Sequence, residues 1–187
     1  MTQQKHEPLQ NFKSNVNFVI GFAQCIAVFI AVWLRCGGSM GGGYLGVQFV
    51  IGMGAMLLYY LFLAPGYPEV MFFWLLTLVM YVLHKAKHAY KRRVWQYRPH
   101  SRYMGKSGLS FLGGDAIAKR LWEPLLVLFA GFYVKSQGNG LGPWLIFSAV
   151  CLVIAHQYAA MEENARIQAV EDAREEQAWL MKNLPNH

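Results

Sequence analysis

The sequence predicts an all-α integral membrane protein, a bundle of four to five transmembrane helices with a basic cytoplasmic connector and a C-terminal helix extending into the cytoplasm. Three observations carry this fold class. Ser14 to Leu34 holds no charged residue, and after Arg35 a further 33 residues, Cys36 to Pro68, hold none. About 20 apolar residues suffice for a helix to cross the hydrocarbon core. Composition agrees: 55% of residues are hydrophobic and only 14% charged, far from the balance of a soluble domain with wet faces on its elements. Finally, most of the positive charge is gathered in one connector, as in chains that hold such loops on one side of a bilayer.

A polar N-terminal segment, residues 1–15, precedes the bundle, which occupies 16–158. The first apolar run is long and has no small-residue cleavage site after it, so it reads as an anchor that stays. Its span is 16–34. A glycine hinge, 37–43, leads to a second span over 44–64. The turn Pro65-Gly66-Tyr67-Pro68 opens a third, 66–84, whose apolar core is short. Short too is the fourth, 121–135, with Glu123 and Lys135 at its ends, where side chains can reach the headgroups. The fifth, 141–158, follows a Gly/Asn turn and continues into a helical tail, 159–187, rich in Ala, Glu, Gln and Arg, all good helix formers. A short apolar segment also fits a re-entrant helix, so four crossings stand beside five.

Ten of the 17 basic residues lie in the connector 85–120: Lys85, Lys87, Lys91, Arg92, Arg93, Arg98, Arg102, Lys106, Lys119 and Arg120. This places the connector and the tail in the cytoplasm, with a bacterial inner membrane as the expected location. Five crossings put 14 positives inside and 3 outside, and four put 15 inside and 2 outside. Charge counting therefore does not separate the two. Lys85, Lys87, Lys91, Arg92, Arg93, Arg98, Arg102 and Lys106, interleaved with Tyr90, Trp95, Tyr97 and Tyr103, form a surface for anionic lipid or an acidic protein partner. No nucleic-acid motif accompanies them, and nucleic acid is not an expected partner. Gly105-Lys106-Ser107 lacks the earlier glycine of a phosphate loop, since His100 stands in its place.

Two further groups stand out. Gly46, Gly52 and Gly54 are expected to form a close-packing face on span 2, against another span or a neighbouring subunit. His84 and His88, four apart on one helix face, lie at the same predicted membrane surface as His156. These three are the candidates for a metal or haem, although no cofactor is expected. Three scattered cysteines make neither a disulfide framework nor a metal pair. Ionisable residues are nearly absent from the spans, which argues against an ion-coupled pump, and no hydrolase constellation can be assembled.

These features point to a non-catalytic subunit that anchors or scaffolds a larger membrane assembly. Its partners would be membrane lipids and other membrane subunits or copies of itself, met by the basic connector and the acidic tail. The alternatives are a homo-oligomeric channel or small-solute conduit centred on the span 2 glycines, and a membrane redox or metal protein using the interfacial histidines.

Overall fold

The computed structural model describes residues 7–94 and 105–183, with side chains over 14–94 and 105–182. All its named elements are helical. Helix α1 is Glu7–Leu34. A π turn, Tyr44–Gln48, leads into α2, Phe49–Phe62, and α3 is Pro68–Val94. A short α4, Asp115–Ile117, passes through a second π turn, Ala118–Trp122, into α5, Glu123–Ser136. Helix α6 runs unbroken from Leu141 to Asn183. Four helical stretches are long and apolar enough to cross a membrane: Ser14–Leu34, Tyr44–Phe62, Pro68–Val94 and Leu141–Lys182. Helix α5, with 14 residues, falls short by itself and lies against α6 as its antiparallel partner.

Punctuation in the sequence sets these boundaries. Helix α1 stops where Gly38 takes φ +74°, a conformation that costs a residue with a Cβ about 1–2 kcal/mol. Pro68 opens α3, a position where the missing N–H costs nothing, and Pro124 stands in the first turn of α5, directly after the π turn. Asn139 caps α6 by accepting the Leu141 N–H at 2.9 Å. Helix α3 continues ten residues past the expected end at position 84, because Lys85 to Val94 holds no Gly or Pro to stop it. The connector is therefore helical in its first part.

Helix α1 is the central strut, with Ile26 to Val32 all buried. Phe29 sits at its middle, with ring centroids 6.3 Å from Phe49 of α2, 6.1 Å from Phe73 of α3 and 6.1 Å from Trp144 of α6. Phe49 in turn stacks on Tyr81 at 4.2 Å. Hydrogen bonds fix this aromatic layer. Trp33 donates to the Thr77 hydroxyl at 3.0 Å, Trp74 to the Met53 carbonyl at 3.0 Å and Tyr81 to the Leu45 carbonyl at 3.1 Å. Outward-facing apolar residues on α2, α3 and α5, among them Phe62, Phe72, Phe129 and Tyr133, are exposed, the pattern expected of a lipid-facing exterior.

The bundle has two distinct ends. At one, Tyr59 of α2 donates to the Gly140 carbonyl at 2.6 Å, and Tyr67 lies against Gly140, so the α2–α3 and α5–α6 turns meet. The C-terminus of α1, the glycine hinge and the 105–114 loop occupy the other. Helix α6 covers the distance between the ends in about 23 Å from Leu141 to His156, and α3 in about 24 Å from Pro68 to His84.

The three span 2 glycines do not share a neighbour. A Cβ at Gly52 would stand 2.5 Å from the Cys25 carbonyl and 2.9 Å from the Phe29 Cβ, whereas nothing lies within 4 Å of that position at Gly46 or Gly54. Gly52→Ala is expected to destabilise the bundle by about 1–3 kcal/mol through overpacking. Gly54→Ala should be neutral or slightly stabilising, by up to about 1 kcal/mol of helix propensity. Thermal unfolding of both variants in detergent checks the contrast.

Candidate functional site: a buried ionic cluster at one end of the bundle

Chemistry in this chain collects where α1, α5 and α6 converge. Arg35 is the first residue after α1, Glu123 begins α5 and His156 lies where α6 leaves the bundle. Arg35 Nη1 donates to Glu123 Oε1 at 2.6 Å, and both side chains are 0% exposed. His156 Nε2 stands 3.5 Å from Glu123 Oε2 and 3.5 Å from Arg35 Nη2, with 4% of its side chain exposed. The π turn Ala118–Trp122 inserts an extra residue just before Glu123. It thereby turns the start of α5 so that the carboxylate faces inward.

A loop closes over this cluster. Residues on either side of Arg35 pair with residues on either side of Ser107: the Cys36 N–H donates to the Lys106 carbonyl at 3.0 Å and the Gly108 N–H to the Leu34 carbonyl at 2.8 Å. The loop is itself pinned. Ser107 N–H donates to Asp115 Oδ1 at 2.7 Å, its hydroxyl accepts the Leu109 N–H at 3.0 Å, and Lys119 donates to Asp115 Oδ2. Burial opposes ionisation of Asp115, but hydrogen bonds from Lys119 and the Ser107 amide, with the positive charge of Lys119 and Arg35, outweigh it. The pKa is held below the usual carboxylate value.

The histidines have different duties. His84 is buried, and its Nδ1 accepts the Gly38 N–H at 3.4 Å while the ring also bonds the Val32 backbone. It ties α3 to the glycine hinge. His88, one turn on, has a buried Nε2 with no hydrogen-bond partner among the described residues. Only His156 joins the ionic cluster. Among the described residues, no three His, Cys, Asp or Glu side chains come together as a metal-holding group.

The basic residues are divided as well. Lys85, Lys87, Arg92, Arg93 and Lys106 are exposed, with Lys85 over the Tyr81 ring at 5.6 Å. Lys91 instead donates to the Gly37 carbonyl at 3.4 Å, and the Lys87 stem covers Gly37 and Gly38. These two lysines pack on the hinge. Arg98 and Arg102 lie outside the described residues, as does His100.

Glu123 corrects the expectation of a headgroup contact: it is fully buried and faces Arg35. Sequence reading missed the cluster because its members lie 88 and 121 positions apart. One signal was available. Arg35, Glu123 and His156 each end or begin a span at the same predicted surface, and a lone acid beside a lone arginine at one level invites a pairing. Compared with protein-family models, curated proteins and solved structures, the chain matches none.

Chemically, the two opposite charges neutralise each other, with the His156 imidazole beside them. Removing one partner leaves the other charge buried, so Glu123→Gln is expected to cost about 3–5 kcal/mol. Arg35→Met combined with Glu123→Leu should recover most of that loss, since a buried pair is often replaceable by packed apolar groups. Chemical denaturation of the three variants in detergent checks this.

The loop carries a pH dependence. Because the folded pKa of Asp115 lies below its unfolded value, its contribution is complete above the usual value of 3.8 and is lost as pH falls through the folded value. Amide exchange at Ser107 should accelerate in Asp115→Asn at neutral pH, and in the wild type only on strong acidification.

Proposed function

We propose that this protein is a non-catalytic, multi-pass membrane subunit that anchors a larger assembly, meeting partners with its basic connector and its acidic helical tail. One observation carries the reading. From Met161 to Lys182 every residue of α6 is exposed, although the helix is continuous with its buried first half. In proteins most helical stability comes from the packing of a face against other elements rather than from propensity. Here the buried half holds the rest out as an extension of about 33 Å, a form suited to docking.

The remaining features support the same role. The apolar exterior suits acyl chains, and the exposed Lys85, Lys87, Arg92 and Arg93 would each gain about 1 kcal/mol beside anionic lipid. Gathering these charges at the Arg35 end supports a cytoplasmic location for the connector and tail, in a bacterial inner membrane. The antiparallel seating of α5 on α6 supports five traverses between the two ends, with the N-terminus on the opposite side. Gly52 is filled against α1, which favours anchoring over a glycine-lined conduit.

Gentle extraction from native membranes, followed by native mass spectrometry, tests the proposal. The expected complex has a mass that no multiple of the 21.3 kDa chain accounts for. Truncation after Ala160 should leave the chain in the membrane and remove the additional partner. A ring made solely of identical chains would overturn the subunit reading.

A further inference from the structure

We propose that the loop and short helix over 109–122, part of the connector by charge, are embedded in the lipid interface and complete the fifth traverse of the bilayer. The inference deepens the anchoring role proposed above and rests on the membrane placement in it.

Side chains of this segment form one outward apolar patch. Phe111 is 76% exposed, and Leu112, Ile117, Leu121 and Trp122 are exposed with it. Contacts join them: Trp122 Nε1 donates to the Leu112 carbonyl at 2.8 Å, and the Ile117 side chain lies within 4 Å of the Cβ position at Gly113. The segment's other face is held inward, where Ala118 is buried and Asp115 bonds the Ser107 amide and Lys119. Apolar patches of this kind mark contact sites.

Continuity selects lipid as the occupant. Trp122, Leu126, Phe129 and Tyr133 follow at i, i+4, i+7 and i+11, one helix face, and all four are exposed. The stripe that α5 turns toward acyl chains therefore runs without a break into the patch. Length gives the same answer. Helix α5 alone reaches about 21 Å, against a hydrocarbon core of about 30 Å. Exposed Lys135, Ser136 and Gln137 mark the polar boundary at its far end, so the missing thickness falls at the patch. Counted from Asp115 through the π turn, the helical run reaches about 33 Å.

Polar groups in the segment suit that depth. Most of the loop's amides are already bonded within the fold, as backbone near lipid requires. The Gly108 N–H donates to the Leu34 carbonyl, Leu109 to the Ser107 hydroxyl, Leu112 to the Leu109 carbonyl at 2.9 Å, and Gly114 to the Ser110 carbonyl at 3.0 Å. Aromatic rings such as Phe111 and Trp122 favour the headgroup boundary. Arg120 is exposed next to Leu121, and its long stem can carry the guanidinium to the phosphates.

Spin-label depth measurement tests this on the full-length chain in vesicles of phosphatidylethanolamine and phosphatidylglycerol. In a Cys36→Ser background, where the remaining Cys25 and Cys151 are buried, Phe111→Cys, Ile117→Cys, Phe129→Cys and Glu163→Cys each carry a nitroxide. Collisions with oxygen, which concentrates in lipid, are compared with collisions with a water-soluble nickel chelate. The expected oxygen-to-nickel ratio at 111 and 117 is several-fold above that at 163 and close to that at 129. A ratio at 111 and 117 equal to that at 163 would place the loop in water and overturn the inference. Labels shielded from both reagents would overturn it in favour of a second copy covering the patch. In either case a lipid-like value at 129 would leave the membrane reading standing, whereas a water-like value at 129 would remove both.

Discussion

The Arg35–Glu123 pair is the constraint on which the rest of the arrangement depends. Two opposite charges with no exposed side-chain surface are costly to bury, and their burial is tolerable only with close geometry and further polar partners. Here the pair is 2.6 Å long, with His156 beside the carboxylate. It fixes the end of α1 to the start of α5 and to the point where α6 leaves the bundle. The 105–114 loop then pairs across Arg35 and shuts the cluster away from solvent. Such a pair is weak evidence for stability in itself. A slipped helix would strand one of these charges in an apolar interior.

Packing between the two ends is of another kind. Around α1 the contacts are aromatic and small-residue contacts: Phe29 against three helices, Gly52 against Cys25, and Gly131 of α5 against the Ile146 backbone of α6. Apolar helices gain little from burial when the alternative is lipid, so close approach and directed hydrogen bonds decide the geometry. The tryptophan and tyrosine donors meet this need. Trp33, Trp74, Tyr59 and Tyr81 each reach a hydroxyl or carbonyl on another element or on a turn. The polar end and the aromatic middle thus divide the work, one setting register and the other filling space.

Much of this fold was legible in the sequence. Charge-free runs and their Gly/Pro boundaries located the apolar helices, and the Ala/Glu/Gln composition after Tyr158 marked the continuation of α6. Three things were not legible. Lys85 to Val94 reads as a connector by charge, yet it prolongs α3, since charge does not end a helix that propensity sustains. Gly46, Gly52 and Gly54 look alike in sequence, but only the facing helix decides which of them is filled. The Arg35–Glu123–His156 cluster depends on contacts between distant spans, and a periodicity read along one helix carries no information about them.

Two ends joined by five antiparallel segments are the core of the account, and sidedness tests it most directly. A membrane-impermeant thiol reagent, applied to sealed vesicles of each orientation, reports which side a cysteine faces. Native Cys36, exposed beside the cluster, serves as one probe. Asn139→Cys and Lys182→Cys, each in a Cys36→Ser background, serve as the others. Cys36 and position 182 should react from the same side and position 139 from the opposite one. Reaction of all three from one side would make α5 and the start of α6 a re-entrant hairpin and contradict it.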